Sequence, residues 1–252
     1  DILGPDFPYF ASKGNHDDKW DGSGGYTEVL ENRMNRIGVS WDGEIGIKSS
    51  LHYKGIFIIL VAPGEEGKGH AEYIAQKLGQ DNSIWRICSW HKNMRDMQVG
   101  GKDDATGWEV YEESRKGGAI IATGHEHSYS RTHLLSSMEN KTVVNRSDTL
   151  DIKKGHSFAF VSGLGGKSIR SQKRDGDWWA AVYTDSQDAN HGALFGTFNL
   201  NGNPNLAEFY FKDIDGVVPD RFWVVSHANE DVVADEVPPH PPKNVTISVE
   251  SE

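Results

Sequence analysis

The stretch AIIATGHEHSYSR, residues 119–131, passes from an apolar segment directly into a glycine followed by two histidines. Residues 119–123 have the length and unbroken apolarity of a buried strand. Two other polar clusters stand in the same relation to an apolar segment: GNHD (residues 14–17) follows a predicted strand at 7–12, and WHKN (residues 90–93) ends another at 84–90. Ligands of open α/β sheets bind outside the carboxyl ends of the strands, so we expect these three loops to meet at one place.

Helical and strand patterns alternate along the first half of the chain, which is typical of an α/β fold. Helical spacing of apolar residues is found in residues 26–37, 69–78 and 108–116, and an unbroken apolar run predicts a buried strand at 56–62. Helices between strands act as crossovers, so the strands they join should be parallel. The second half predicts strands without intervening helices, at residues 158–162, 193–200, 206–212 and 221–225.

The bulk composition excludes several classes of protein. A chain of 252 residues with 37% hydrophobic and 10% aromatic residues can bury a sizeable core. Its longest apolar run, residues 55–62, is strand-length, so no membrane span is expected. A net charge of −11 argues against binding a nucleic-acid duplex, which needs a basic face. An acidic protein can still bind phosphate esters where metal ions supply the positive charge.

Cysteine and glycosylation signals bear on the compartment. Cys88 is the only cysteine, which excludes an internal disulfide and a thiolate-rich metal site. Sequons begin at Asn140, Asn145 and Asn244 and are compatible with secretion, so an extracellular or cell-surface location is expected. The chain begins at Asp1 without a methionine or a signal peptide, which indicates a truncated or processed start.

The composition changes after Ser226. Residues 229–237 are acidic, and PPHPP at 238–242 is a stiff spacer. Residues 243–252 alternate like the opening strand of a further β-module, with a disordered tail as the alternative. We therefore predict an α/β domain over residues 1–226, an acidic, Pro-rich linker over 227–242, and the possible first strand of a following β-sandwich over 243–252.

The residue types in the three loops suit divalent metals. Imidazole nitrogen and carboxamide oxygen are ligands for Zn, Mn and Fe. His125 and His127 are two positions apart, so in an irregular loop they could reach two neighbouring ions. His16 stands beside Asp17, and a carboxylate next to an imidazole sets its tautomer and raises its pKa, which suits an acid catalyst.

The ordered set of GNHD, a strand followed by His, and GHxH resembles that of the calcineurin-like metallophosphoesterases. GHEHSYSR (residues 124–131) and FVSGLGG (residues 160–166) are most similar to the purple acid phosphatase branch. The resemblance covers residues 7–225. It implies a four-layer α/β/β/α sandwich and the hydrolysis of small phosphate esters, above all phosphomonoesters.

The resemblance also implies a dinuclear metal centre of Fe, Mn or Zn. Asn15, His91 and His125 would bind one ion, and His127 would bind the other. A hydroxide that bridges the two ions would attack phosphorus in line.

Two further roles follow from the same resemblance. His16 would contact the phosphate and protonate the leaving oxygen, with Asp17 as its orienter. Apart from these two roles, Tyr129 and Arg131 could help to hold the phosphate or would instead stabilise the loop.

The family pattern departs at its start. Family members carry Asp-x-His or Asp-x-Gly, and then Gly-Asp-x-x-Asp/Tyr, before the GNH loop, whereas residues 1–13 (DILGPDFPYFASK) contain neither. The expectation is an N-terminally truncated chain whose metal site is incomplete by itself.

Other interpretations stay open. A phosphodiesterase or nucleotide hydrolase of the same superfamily would share these motifs, and a catalytically inactive extracellular binding module would fit the missing ligands. GLGGKS (residues 163–168) ends like a phosphate-binding P-loop, but Val161 stands where the first glycine is required. His191, which precedes a predicted strand, is a further residue that could line the cleft. The substrate, the metal identities and the oligomeric state are left undetermined.

Overall fold

The computed structural model describes residues 3–230. Its helices are α1 (Tyr26–Arg36), α2 (His70–Gln80) and α3 (Glu109–Lys116). Its strands are β1 (Trp41–Glu44), β2 (Lys48–Tyr53), β3 (Ile56–Val61), β4 (Trp85–Trp90), β5 (Ile120–Thr123), β6 (Tyr129–Thr132), β7 (Leu134–Ser137), β8 (Thr142–Asn145), β9 (Thr149–Ile152), β10 (Ala159–Ser162), β11 (Trp179–Tyr183), β12 (Gly192–Phe198), β13 (Leu206–Asp213) and β14 (Asp220–Ser226).

An eight-stranded sheet of order β1-β2-β3-β4-β5-β10-β6-β11 forms the centre of the molecule. Strands β3, β4, β5 and β10 are parallel neighbours. Helix α2 joins β3 to β4 and helix α3 joins β4 to β5, as the crossover argument predicts. The carboxyl ends of β4 and β5 therefore lie side by side, at the same edge of the sheet.

Alternation along β3 shows how the two faces of this sheet are buried. Phe57, Ile59 and Val61 pack in the core under α2 and α3. Ile58 and Leu60 point to the opposite face and pack in the core that includes the buried side of α1. A strand that is apolar on both faces reads as the continuous run seen in the sequence.

A second, four-stranded sheet of order β12-β13-β14-β9 covers the rest of that opposite face. Its core is aromatic: Phe158 of the connecting segment meets the ring of Phe222 edge to face, with centroids 5.5 Å apart, and Phe209 stacks on Phe222 at 5.2 Å. The α/β fold class is thus confirmed, and residues 3–230 supply a helical layer followed by two sheets.

Two features of the first half differ from the sequence prediction. Residues 7–12 do not form the predicted strand: they contact β2 and β4, but among the described residues no strand pairs with them in a hydrogen-bonded ladder. The β1–β2 hairpin was not predicted, since polar residues outnumber apolar ones in both strands. Residues 243–252, and the linker from 231 onward, lie outside the described residues. Within residues 3–230 no helix is long and apolar enough to cross a membrane.

Candidate metal and phosphate site

Three side chains from three distant parts of the chain bring ligand atoms together. The Nε2 atom of His91 lies 2.7 Å from the Oδ1 atom of Asn15. The Nδ1 atom of His125 lies 3.2 Å from the same oxygen and 3.0 Å from Nε2 of His91. Two nitrogens that bind one ion at about 2.0–2.1 Å and roughly at right angles would be about 2.9 Å apart, so these atoms are close enough to share a cation.

The register of the parallel strands explains why the histidines meet. Trp90 at the end of β4 pairs with Thr123 at the end of β5. The residues that follow the two strands, His91 and Gly124, are therefore also adjacent. The amide of Gly124 donates a hydrogen bond of 3.2 Å to the carbonyl of His91. This contact places the GHEH loop beside the loop after β4.

The GHEH loop has an unusual backbone. His125 has a φ of 63°, in the left-handed region that few non-glycine residues adopt. The amide of Glu126 turns back to donate a hydrogen bond of 2.8 Å to the carbonyl of Gly124. Gly163 closes the loop from the other side, because a Cβ atom there would lie 1.9 Å from the carbonyl oxygen of Glu126. Such strained residues cluster at ligand sites, which fits a binding role for this loop.

The GNHD loop packs against the ring of His91. A Cβ atom added to Gly14 would lie 3.0 Å from Nδ1 of His91, so glycine lets the two loops touch. Asp17 does not orient His16 as expected: its carboxylate accepts a hydrogen bond of 2.8 Å from the amide of Gly14 and so closes the loop on itself. Within residues 3–230, His16 makes no hydrogen bond, and its exposed side chain lines the cavity.

His127 lines the same cavity. Its Nδ1 atom lies 2.8 Å from the carbonyl oxygen of Ser168, which can only accept. In the neutral ring, Nδ1 therefore carries the proton and Nε2 keeps its lone pair. A backbone carbonyl that sets the tautomer in this way is the usual outer partner of a metal-binding histidine.

Burial keeps two of the imidazoles uncharged. It lowers the pKa of His91 to about 4, against a partly opposing effect from the charge of Asp17. Burial, together with a smaller effect from the neighbouring His91, lowers the pKa of His125 to about 3. Both rings are neutral near pH 7, which is the form that binds metals.

The donor atoms of Asn15, His91 and His125 fit a metal ion, although only the two histidines are among the commonest metal ligands. Within residues 3–230, no group of three or more His, Cys, Asp or Glu side chains is placed to hold an ion. The set found here is two imidazoles and the carboxamide oxygen of Asn15, a type of ligand that such a group does not include. Three neutral ligand atoms that converge on one position suit a borderline divalent ion such as Zn or Mn.

Cationic side chains and glycines line the rest of the cavity, whose volume is about 350 Å³. Lys102, Lys167 and Arg170 contribute to its wall, and among its described lining residues none is Asp or Glu. These three residues were missed at the level of sequence, where Lys167 appeared only as part of a rejected P-loop. His191 lies behind this wall, where its Nε2 atom is 2.9 Å from the carbonyl oxygen of Lys167.

Tyr129 and Arg131 are not in the cavity, which corrects the expectation that they hold phosphate. Both are buried, at 0% and 1% exposure. The hydroxyl of Tyr129 donates to Asp220 at 2.6 Å, and the guanidinium of Arg131 donates to both oxygens of that carboxylate, at 2.8 and 2.9 Å. They join β6 to β14 in the interior, because their side of β6 faces the second sheet.

A larger cavity, of about 500 Å³, lies between α2 and the β1–β2 hairpin. Its charged groups already pair with one another: His52 with Asp81 at 2.8 Å and Lys77 with Asp42 at 2.6 Å. The smaller cavity is therefore the one with ligand atoms available.

Comparison with known proteins supports the fold. No family model and no curated protein matches the chain. Among solved structures, the chain is similar to purple acid phosphatase PPD1 from yellow lupin (Lupinus luteus) seeds, with a TM-score of 0.62 and 16% identity over 86% of this chain and 40% of that one. It is less similar to PhoD, with a TM-score of 0.44 and 11% identity over 84% of this chain and 49% of that one.

The likeness to the lupin phosphatase confirms a purple-acid-phosphatase-like fold for this chain. The chain spans about two fifths of the length of that phosphatase. At 16% identity the likeness concerns the fold alone.

Proposed function

We propose that the protein hydrolyses small phosphate esters, chiefly phosphomonoesters as an acid phosphatase does, with the help of a dinuclear metal centre. The observation that carries this proposal is the convergence of Asn15, His91 and His125 within 3.2 Å of one another. They meet in a cavity whose other charged walls are cationic. The purple-acid-phosphatase-like fold supports the same activity.

The residues of this chain would hold the metals as follows. Asn15, His91 and His125 would bind one ion, and His127 would contribute Nε2 to the other. When bound, the ions would supply Lewis acidity toward the phosphoryl oxygens and a nucleophilic water. The identities of the ions, whether Fe, Mn or Zn, are open to measurement of the metal content.

His16 would deliver the proton to the leaving oxygen. Its side chain is exposed in the cavity and is not engaged by the other described residues, so its ring can turn toward a bound ester. Asp17 would act only indirectly, because it holds the GNHD loop closed through the amide of Gly14. The catalytic proton transfer would thus rest on His16 alone.

The charge distribution favours a small anionic substrate. The whole chain carries a net charge of −11, whereas the cavity is lined by Lys102, Lys167 and Arg170. A local positive site on an acidic molecule concentrates a small anion without attracting a nucleic-acid duplex. The cavity volume of about 350 Å³ is in the range of small-molecule sites.

A secreted or cell-surface location is part of the proposal. The sequon residue Asn140 is exposed in the turn that joins β7 to β8. Protein from the natural source should then lose mass on treatment with an N-glycosidase, and an unchanged mass would remove this support.

The activity is tested with the complete natural protein that contains this chain. It is freed of metal and reloaded separately with Fe, Mn or Zn. Hydrolysis of p-nitrophenyl phosphate should depend on the added metal and exceed hydrolysis of bis-p-nitrophenyl phosphate. A preference for the diester would make the protein a phosphodiesterase instead. No metal-dependent turnover of either ester would contradict the proposal and favour an inactive binding module.

A further inference from the structure

Glu126, the residue between the two histidines of GHEH, is a fully buried carboxylate whose side chain has a single hydrogen-bond partner among residues 3–230. It is 0% exposed, and its Oε1 atom lies 3.3 Å from Nη1 of Arg170. Its Oε2 atom is buried and accepts no hydrogen bond from a described residue. Burial of a carboxylate costs free energy unless a charge compensates it, so Arg170 is what makes Glu126 tolerable at this position.

The fold makes room for this carboxylate. A Cβ atom at Gly100 would lie 2.1 to 2.5 Å from the carboxyl atoms of Glu126, so any side chain at that position would displace them. The space beside Gly100 is therefore occupied by Glu126 itself. The carboxylate is therefore fixed in position next to Gly100.

Arg170 is held at the cavity from two directions. Its amide donates a hydrogen bond of 3.0 Å to the carbonyl of His127, and its carbonyl accepts one of 3.1 Å from Asp185. Its side chain is 36% exposed and lines the cavity. Apart from Nη1, its guanidinium nitrogens make no hydrogen bond with residues 3–230.

We propose that Arg170 binds the phosphoryl group of the substrate, and that the buried carboxylate of Glu126 positions its guanidinium for this contact. A guanidinium offers parallel N–H donors that match two oxygens of one phosphate, whereas an ammonium acts as a point charge. Arg170 is then the phosphate-binding arginine that Arg131, locked in the interior, cannot be. The inference rests on the proposed function, since it names the residue that holds the ester while His16 protonates it.

The test compares Arg170→Gln, Arg170→Lys and Glu126→Gln in the metal-loaded, full-length protein. Arg146→Gln is the matched control, because Arg146 is an exposed arginine that pairs with exposed Asp177 and does not line the cavity. The readouts are metal content, kcat and KM for p-nitrophenyl phosphate, and the inhibition constant and calorimetric Kd of inorganic phosphate.

Arg170→Gln should weaken phosphate binding by about 10- to 100-fold, the effect of a lost charge-assisted hydrogen bond, and should raise KM in parallel while metal content is retained. Arg170→Lys should fall between this variant and the wild type. Glu126→Gln should weaken phosphate binding several-fold in the wild type and have no further effect in the Arg170→Gln background, because it acts through that arginine.

The outcomes separate this inference from the proposed function. Metal-dependent turnover with unchanged KM and phosphate Kd in Arg170→Gln would overturn the inference and leave the function standing. Loss of phosphate binding in Arg170→Gln, in a protein that turns over no ester, would support the anion-binding role while contradicting the function. A full effect of Glu126→Gln in the Arg170→Gln background would overturn the positioning role of Glu126.

Discussion

The Nδ1 atom of His125 lies 3.0 Å from the Nε2 atom of His91, although 34 residues separate the two in the chain. The paired ends of β4 and β5 bring their loops together, and the left-handed backbone at His125 turns its ring toward His91. Two half-buried, neutral imidazoles at this distance form a site that a cation can bridge.

Removal of a ligand should remove a metal ion. His125→Ala or Asn15→Ala should lose about one equivalent of metal and lose activity on good and poor ester substrates together, with partial recovery in excess Mn or Zn. Elemental analysis of the purified variants measures the loss. His52→Ala, which changes an exposed histidine in the other cavity, is the control and should keep its metal. Full metal content in His125→Ala would refute the assignment.

Removal of the proton donor should spare the metal. His16→Ala should lower kcat by on the order of 10²–10⁴-fold on an alkyl phosphate, whose leaving oxygen needs a proton. The loss should be smaller for p-nitrophenyl phosphate, whose leaving group carries its charge without help. Steady-state kinetics on both esters checks this difference. Loss of metal comparable to that of His125→Ala would make His16 a ligand instead.

Gly163 should contribute to stability because it lets its loop approach the backbone of Glu126 closely. Gly163→Ala places a Cβ atom 1.9 Å from the carbonyl oxygen of Glu126 and should lower the free energy of unfolding by about 1–3 kcal/mol, as overpacking does. Gly165→Ala, two residues away in the same wall, meets nothing within 4 Å and should be near neutral. Urea unfolding of both variants compares them, and equal stabilities would contradict the observed packing.

The interior pair of Arg131 and Asp220 should act on stability. Arg131→Ala leaves Asp220 buried without its charge partner and should cost about 3–5 kcal/mol. Tyr129→Phe removes one hydrogen bond to the same carboxylate and should cost about 0.5–1.5 kcal/mol while KM stays unchanged. A raised KM in Tyr129→Phe at unchanged Tm would return Tyr129 to the substrate site.

The single thiol should report unfolding. Cys88 is fully buried, and burial raises its pKa to about 12. Its thiol therefore stays protonated and shielded at pH 8, where an ordinary thiol is partly ionised, and should not react with a thiol reagent such as DTNB. Reaction should begin only as denaturant unfolds the chain. Rapid labelling of the native protein at pH 8 would show that β4 opens locally.

The sequence predicted the strand–loop–helix core because each buried strand there is a continuous apolar run bounded by polar residues. It also predicted that the loops carrying His91 and His125 meet, since parallel strands joined by a helical crossover end at one edge. The loop of Asn15 joins them although residues 7–12 form no strand. The sequence did not predict the weakly patterned β1–β2 hairpin, and it wrongly predicted a strand at residues 7–12. Both errors arise because strand pairing depends on which segments are neighbours in space.

Which residues hold charge at the site was decided by tertiary structure. Tyr129 and Arg131 lie two and four residues beyond GHEH, but β6 is buried along its whole length, so its residue types give no sign of which face meets the cavity. The second sheet brings Asp220 against that face and takes both side chains into the interior. Arg170 reaches the cavity instead, from 44 residues beyond Glu126, because its amide docks on His127. The sequence determined the chemistry of the loops that meet, since apolar runs and loop residues are local properties; only folding decided which arginine faces the ligand, since that depends on contacts between distant segments.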